Sequence, residues 1–287
     1  MQLKCTALLA ETMSKPQISV ILSTYNQPEW LEKVLWGYAQ QEFTDFEVVI
    51  ADDGSTETTR AKIEQMTPEL PFLVQHVWHP DNGFQKTIIL NEAIKVAQAD
   101  YLLFSDGDCI PRKDFLSVHA KHMEPGFFLS GGYFKLPMDI SKAISKSDIE
   151  AQNCFELSWL KQRGLKTSFK NNKLTQSSLK QKLLNWITPT QATWNGHNSS
   201  GWRSDIVAAN GFDERMQYGG EDRELGERLF NAGIKAKQLR YSAICVHLDH
   251  PRGYVKPEML SKNAAIRKRT KTEKLVRTSY GLVTEKS

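Results

Sequence analysis

The sequence lacks several features that would place it quickly. It has no C-x-x-C pair, and its four cysteines, Cys5, Cys109, Cys154 and Cys245, lie far apart. That spacing argues against a disulfide framework or a zinc ribbon and fits a reducing cytosol. No apolar run approaches the roughly 18 residues that a membrane-spanning helix needs. The apolar stretch near the N-terminus is about four residues, too short for a secretory core, and Met13 offers an alternative start. Glycine (17) and proline (11) are ordinary in number, so fibrous repeats and disorder are not indicated. No G-x-G-x-x-G follows an apolar run and no G-x-x-x-x-G-K-[ST] occurs, which leaves a dinucleotide site and a P-loop unsupported. The segment GHNSSG lacks the G-x-S-x-G spacing of a hydrolase elbow, so Ser199 and Ser200 are poor nucleophiles. The loop Thr24-Tyr25-Asn26-Gln27 has none of the glycines a sugar-nucleotide pyrophosphorylase would place there.

The 287 residues, 40% of them hydrophobic, suffice for one large α/β domain. Net charge is +4, but it is unevenly spread. Lys161 to Lys182 holds seven basic residues and no acidic one; Lys256 to Arg277 holds eight basic and two acidic. Those segments carry +7 and +6, which leaves −9 for the rest. An acidic body with two basic segments is not a nucleic-acid binder. It fits metal-binding carboxylates in the body, with an anionic membrane surface or ligand facing the segments.

From Ile18 onward, short apolar runs alternate with helical patterns. ISVILS (18–23), FEVVIA (46–51), the run from Leu73 to Trp78 and YLLFS (101–105) read as buried strands. Helices follow them: one opened by Pro28 with Asn26 as its cap, one through Ile63 and Met66, and one through Ile88 to Ala97. A short helix from Phe115 to His122 and strands at Phe127 to Ser130 and in ICVHL (244–248) complete the pattern. The expected fold is therefore α/β, a Rossmann-like, mostly parallel sheet flanked by helices, with ligands beyond the carboxyl ends of its strands. A single domain is expected over 17–250, with a first half over 17–110, a variable lysine-rich insertion over 136–190 and a second half over 191–250. Residues 251–287 read as a basic tail.

Four polar clusters fall at strand or helix ends. Asp106-Gly107-Asp108 follows a strand and offers two carboxylates to a hard cation, or is a plain turn. Asp52-Asp53-Gly54-Ser55 offers an acceptor to a base or ribose, or is a turn in which Ser55 caps the next helix. Gly219-Gly220-Glu221-Asp222 opens a helix. Its carboxylates complement the dipole, or one serves as general base where the glycines let a ligand approach. His247 and His250 are structural, or His247 joins a metal if the fold brings it to Asp108.

Taken together these segments resemble the family 2 glycosyltransferases of the GT-A fold, from Ile18 to about Pro251. VILSTYNQPEWL is similar to the family's first strand and donor loop, and VVIADDGSTETT to its second strand. HPDNGFQKTIILNEAI resembles the segment that follows, with Gln85 where arginine is frequent. LLFSDGDCIP resembles the DxD metal motif. NGFDERMQYGGEDRELGERL resembles the C-terminal segment of galactosyltransferases and chondroitin-polymerase-like enzymes, with Tyr218 in place of a tryptophan.

The resemblance implies a nucleotide-sugar donor, UDP-linked, held by Ser23, Tyr25, Asp53, Lys86 and Asp106. It implies Mn²⁺ or Mg²⁺ on Asp108, with Asp106 and His247 as further ligands, and Asp222 as the base of an inverting displacement. Glu221 would orient hydroxyls, and Trp194, Asn198 and Trp202 would line the sugar site. The implied product belongs to a surface polysaccharide, lipopolysaccharide or capsule, built on a saccharide or lipid-linked acceptor. A polyprenyl-phosphate sugar transferase and a catalytically silent nucleotide-sugar-binding module remain as alternatives.

Overall fold

In this computed structural model, residues 15–251 and 256–283 are described. Cys5, the alternative start at Met13, and positions 252–255 and 284–287 of the basic C-terminal segment lie outside the described residues.

The β-branched runs form strands because both of their faces are covered. β1 (Ile18–Thr24), β2 (Phe46–Asp52) and β4 (Tyr101–Asp106) are buried almost throughout, whereas β3 (Leu73–Trp78), at the sheet edge, is half-exposed. These four run parallel, in the order β3-β2-β1-β4. β7 (Ser199–Trp202) follows antiparallel, then β6 (Phe127–Lys135), β8 (Lys235–His247) and finally the short β5 (Cys109–Pro111). The period-two alternation of the strands sorts the core into two layers. Ile18, Val20 and Leu22 face α1 (Pro28–Ala39) through Leu31, Val34 and Leu35. Ile21, Val49 and Leu102 face α3 (Lys86–Val96) and α10 (Glu221–Asn231) through Ile89, Ile94, Leu225 and Leu229. α2 (Glu57–Met66) and α4 (Phe115–His122) join the first layer.

Several elements depart from the sequence expectation. Pro28 opens α1 as expected, but Asn26 does not cap it. Asn26 stands at φ 49° and its Oδ1 accepts from the backbone N and Oγ1 of Thr56, at 2.9 and 3.1 Å. The side chain thereby ties the loop after β1 to the loop after β2. The 136–190 segment is no loose insertion. Its short helices α5 (Met138–Ala143), α6 (Lys146–Glu150), α7 (Leu157–Gln162) and α8 (Ser178–Ile187) lie along the first layer. Ile140, Ile144, Ile149, Phe155, Leu160 and Leu174 enter the same core as β1. Each helix contributes only one or two buried residues, too few for a legible period. The basic C-terminal segment is likewise not a solvated tail. After α9 (Arg203–Ala208) the chain turns through Asn210, and α11 (Pro257–Thr272) packs on α10. Asn210 Nδ2 donates to the carbonyls of Thr278 and Val283, which closes the final strap onto the body.

Three residues expected at the sugar site are elsewhere. Trp194 is fully buried among Phe104 and Phe128, against Gly201 and Gly226, where a Cβ would come within 3.2 and 2.7 Å of it. Asn198, also buried, donates to the carbonyls of Gly132 and Ala243 and lies 2.9 Å from His119 Nε2. Trp202 packs edge-on to Tyr101, at the end of β4 opposite Asp106. The tryptophan rings serve the core by their bulk and Asn198 by its hydrogen bonds.

Trp194→Ala would leave a cavity between two glycines that cannot fill it. The expected loss is about 3–5 kcal/mol, measured by urea denaturation, and a loss below about 1 kcal/mol would contradict this packing.

Candidate active site

The chemistry-bearing residues gather where the parallel strands end. The β1–β4 register sets Ser23 beside Asp106, and Ser23 Oγ donates to Asp106 Oδ1 at 2.7 Å. The same oxygen accepts from Lys86 Nζ at 2.6 Å, the first residue of α3 reaching across. Gly107 N donates to Ser23 O at 2.7 Å, fixing the turn on which Asp108 sits. One step along the sheet, Asp53 accepts from Gln85 N at 3.0 Å and pairs with His79 Nε2 at 2.8 Å. Above it Tyr25, half-exposed, donates its hydroxyl to Asp81 at 2.9 Å. Gly54, at φ +88°, brings the two loops together; a Cβ there would lie 2.5 Å from Asp81 Cα.

On the far side, α10 begins with Glu221 and Asp222. Asp222 Oδ2 accepts from Gly196 N at 2.9 Å and Oδ1 from Arg223 N at 2.7 Å, while Glu221 accepts from Gly219 N at 2.8 Å. A methyl group at Gly196 would lie 3.4 Å from Lys86 Nζ and 3.9 Å from Asp222 Oδ2, so ammonium and carboxylate flank one point. Gly219 and Gly220 have φ of +107° and +86°, but the space they free is filled by Leu260 and Arg267 of α11 rather than left to a ligand.

Charge and burial set the protonation states. Burial alone would lower the Lys86 ammonium, but Asp106, backed by Glu221 and Asp222, holds it above its usual value. Burial would likewise raise Asp106, yet Lys86 and the Ser23 hydroxyl hold it well below the usual carboxylate range. Glu221 is pushed up to about 7 by burial and by the neighbouring Asp222 charge, with Lys86 opposing. Asp222 is raised by burial, against its two backbone donors. A carboxylate so raised is a more capable proton acceptor.

Asp108 meets the end of β8. Cys109 pairs with His247 across the β5–β8 ladder, and Asp108, Cys109 and His247 present ligand atoms within 4.8 Å of one another. Asp108 Oδ2 lies 3.7 Å from His247 Nε2 and 3.1 Å from His250 Nε2. Both rings face a backbone carbonyl with Nδ1, that of Leu248 at 2.7 Å and of Pro251 at 3.0 Å. A carbonyl only accepts, so each Nδ1 carries a proton and each Nε2 is the nitrogen turned toward the Asp108 carboxylate. The Asp108 oxygen and the two imidazole nitrogens together form a donor set that could hold a divalent cation. Burial pushes the Cys109 thiol well above its usual value.

Of the sequence-expected residues, the structure thus brings Ser23, Tyr25, Asp53, Lys86, Asp106, Asp108, Glu221, Asp222 and His247 to one region, and Trp194, Asn198 and Trp202 not. Asp106 is engaged by Lys86 and Ser23 rather than turned to the histidines. Sequence reasoning missed the backbone of Gly196 and the imidazole of His197, which burial pushes down to about 4 beside Asp106 and His247. It named His250 beside His247 but took only His247 on to the metal.

The description "Glycosyl transferase family 2" belongs to the family model that matches residues 19–174. The chain is 30% identical over 239 residues to validoxylamine A glucosyltransferase of Streptomyces hygroscopicus subsp. jinggangensis, covering 80% of this chain and 55% of that protein. It spans about half to two thirds of the length of such curated relatives. Among solved structures, the mannosyltransferase PcManGT of Pyrobaculum calidifontis, in complex with GDP-Man and Mn²⁺, superposes with a TM-score of 0.55 at 20% identity, over 84% of this chain and 59% of that one. Staphylococcus aureus TarS 1–349, in complex with UDP-GlcNAc, gives 0.57 at 19% identity, over 90% and 69%. The architecture is accordingly the GT-A fold.

The electrostatics make one measurable statement. Glu221 is expected to titrate near 7 by carbon NMR, neutral below and ionised above. Asp222→Asn removes a negative neighbour and should lower that midpoint; Lys86→Met removes a positive one and should raise it. A midpoint indifferent to both would contradict the arrangement.

Proposed function

Because the chain belongs to glycosyl transferase family 2, we propose that it moves a hexose or N-acetylhexosamine from a nucleotide sugar, UDP-linked, to a saccharide hydroxyl with inversion. The observation that carries this reading is the convergence on Gly196 of a charged Lys86 and a basic Asp222 carboxylate, between the loops after β1 and β2 and the Asp108–histidine set. The UDP-GlcNAc complex of the TarS structure supports the choice of nucleotide.

Asp53 accepts from the base and Tyr25 stacks on it, with the Asp53 carboxylate already oriented by His79 and Gln85 N. Lys86 offers its ammonium to the diphosphate, and Asp106 and Ser23 hold that ammonium in place. Asp108, His247 and His250 would hold Mn²⁺, or Mg²⁺, which when bound neutralises charge on the departing diphosphate. Asp222 takes the proton from the acceptor hydroxyl as its oxygen attacks the anomeric carbon. The new carbon–oxygen bond forms as the bond to the diphosphate breaks, and the nucleoside diphosphate leaves with the electron pair. Glu221, adjoining, orients acceptor or donor hydroxyls. The acceptor is a growing surface polysaccharide or lipopolysaccharide chain or a lipid-linked oligosaccharide, reached from the inner face of the membrane. The unbalanced basic charge supports that location, and among the described residues no helix is long and apolar enough to cross a membrane.

Asp222→Asn is expected to lower turnover by about 10²–10⁴-fold while nucleotide-sugar binding by calorimetry is kept; near-normal turnover sinks the base assignment. Asp108→Ala should abolish the dependence of UDP release on added Mn²⁺, and full activity in excess chelator would contradict the metal role. A product whose anomeric carbon retains the donor's configuration by NMR excludes the single displacement.

A further inference from the structure

We propose that the outer face of α8, together with the basic turn preceding it, docks on an anionic lipid bilayer. Helix α8 reads SLKQKLLNWI, and its register is fixed by what its inner side does. Leu184 is buried, Asn185 Nδ2 donates to Ser242 Oγ at 2.9 Å, and Asn185 Oδ1 accepts from Tyr241 N at 3.0 Å. Gln181 Nε2 donates to Thr175 O at 2.8 Å. Those bonds turn Leu179, Leu183, Trp186 and Ile187 outward, at positions i, i+4, i+7 and i+8, a stripe about 100° wide. Trp186 is 83% and Leu179 78% exposed, and in the turn at Phe169–Leu174 Phe169 is 74% exposed. Scattered apolar side chains at a surface need no explanation, but a continuous stripe of four does. At helical spacing Lys180 falls on one margin of the stripe and Lys182 on the other.

Charge selects the occupant. From Lys161 to Lys182 there are seven basic residues and no acidic one. Lys166, Lys170, Lys180 and Lys182 are exposed, and among the described residues none takes part in an ion pair. In the other basic segment Arg267 and Lys271 are bound to Glu227 and Arg269 to Glu273, and the exposed Lys256, Lys262, Lys268 and Lys274 adjoin no comparable stripe, Leu260 being the one large apolar side chain exposed on α11. Unpaired positive charge and an apolar stripe therefore coincide at α8. A second copy of the chain, seated on this face by two-fold symmetry, would bring the same lysines against themselves. An anionic bilayer receives both parts at once: leucine and tryptophan enter the headgroup boundary while the lysines stay among the phosphates. The face also adjoins the catalytic region. Lys173, in the same turn, donates to Tyr133 O at 2.9 Å, and the Tyr133 ring lies 4.4 Å from that of His197 and 5.8 Å from that of His247.

This inference deepens the reading of a lipid-linked acceptor, but its test involves no sugar transfer, so either can fail alone. The full chain is sedimented with vesicles of phosphatidylcholine and of phosphatidylcholine mixed with phosphatidylglycerol. Binding to the anionic vesicles only, weakened by salt, is expected. Leu183→Glu with Trp186→Glu should lower the partition coefficient at least about tenfold, as should Lys180→Glu with Lys182→Glu, each with an unchanged melting temperature. Absence of binding to anionic vesicles, or binding that both variant pairs leave intact, overturns the proposal. So does a solution dimer that Trp186→Glu dissociates in a chain that binds no vesicle.

Discussion

The ion pair between Lys86 and Asp106 is the constraint on which the site depends. Four carboxylates, Asp106, Asp108, Glu221 and Asp222, converge on the ends of the parallel strands, and such a group would repel itself apart. One ammonium, delivered by the first residue of α3, answers it. Breaking a pair of this kind by removing one partner is costly because the remaining charge is left without compensation. The pair also explains a division of labour between neighbours with the same side chain. Asp106, joined to Lys86 and Ser23, is kept firmly ionised, whereas Glu221 and Asp222, one layer further from the ammonium, are raised. Identical carboxyls acquire different duties by distance from one cation.

The half of the fold built on β1, β2 and β4 was legible because its strands are buried on both faces. Runs such as Phe46 to Ala51 leave little choice of structure, and their polar ends mark the site directly. Asp106 and Asp108 could be picked out from such a position, at the end of β4. Illegible were the features that depend on pairing between distant segments. β7 is only four residues of small and aromatic character, and the first half of β8, Lys235 to Leu239, is half-exposed and lysine-rich. Nothing local announces that Gly196 will donate to Asp222. The tryptophans misled for the opposite reason. Trp194 precedes β7 and Trp202 ends it, one packed on Phe104 and Phe128 and the other on Tyr101, so nearness along the chain to Gly196 and His197 says little about nearness to the ligand.

The charge distribution has also acquired a structural meaning. The two basic segments are equals in the sequence, with +7 and +6. In the fold they are not. The later one is knitted to the body through Glu227, Thr270 and Asn263, and two of its cations, Arg267 and Lys271, pair with Glu227 of α10. The earlier one keeps its backbone, Lys173 and a few buried residues for the body and holds Lys166, Lys170, Lys180 and Lys182 in solvent.

The strap that follows α11 governs more than its own position. Glu214 N donates to Tyr280 O, Asn210 holds Thr278 and Val283, and the turn between them is bonded to α3: Asn91 Nδ2 donates to Phe212 O and Thr87 Oγ1 to Met216 O. The residue before Thr87 is Lys86. The strap is thus the outer link of a mechanical train whose inner link is the Lys86 ammonium. Proteolytic nicking at the strap would act at a distance, loosening the cation's mounting while leaving every site residue in place. In evolutionary terms, the C-terminal strap should drift no faster than the core it clamps.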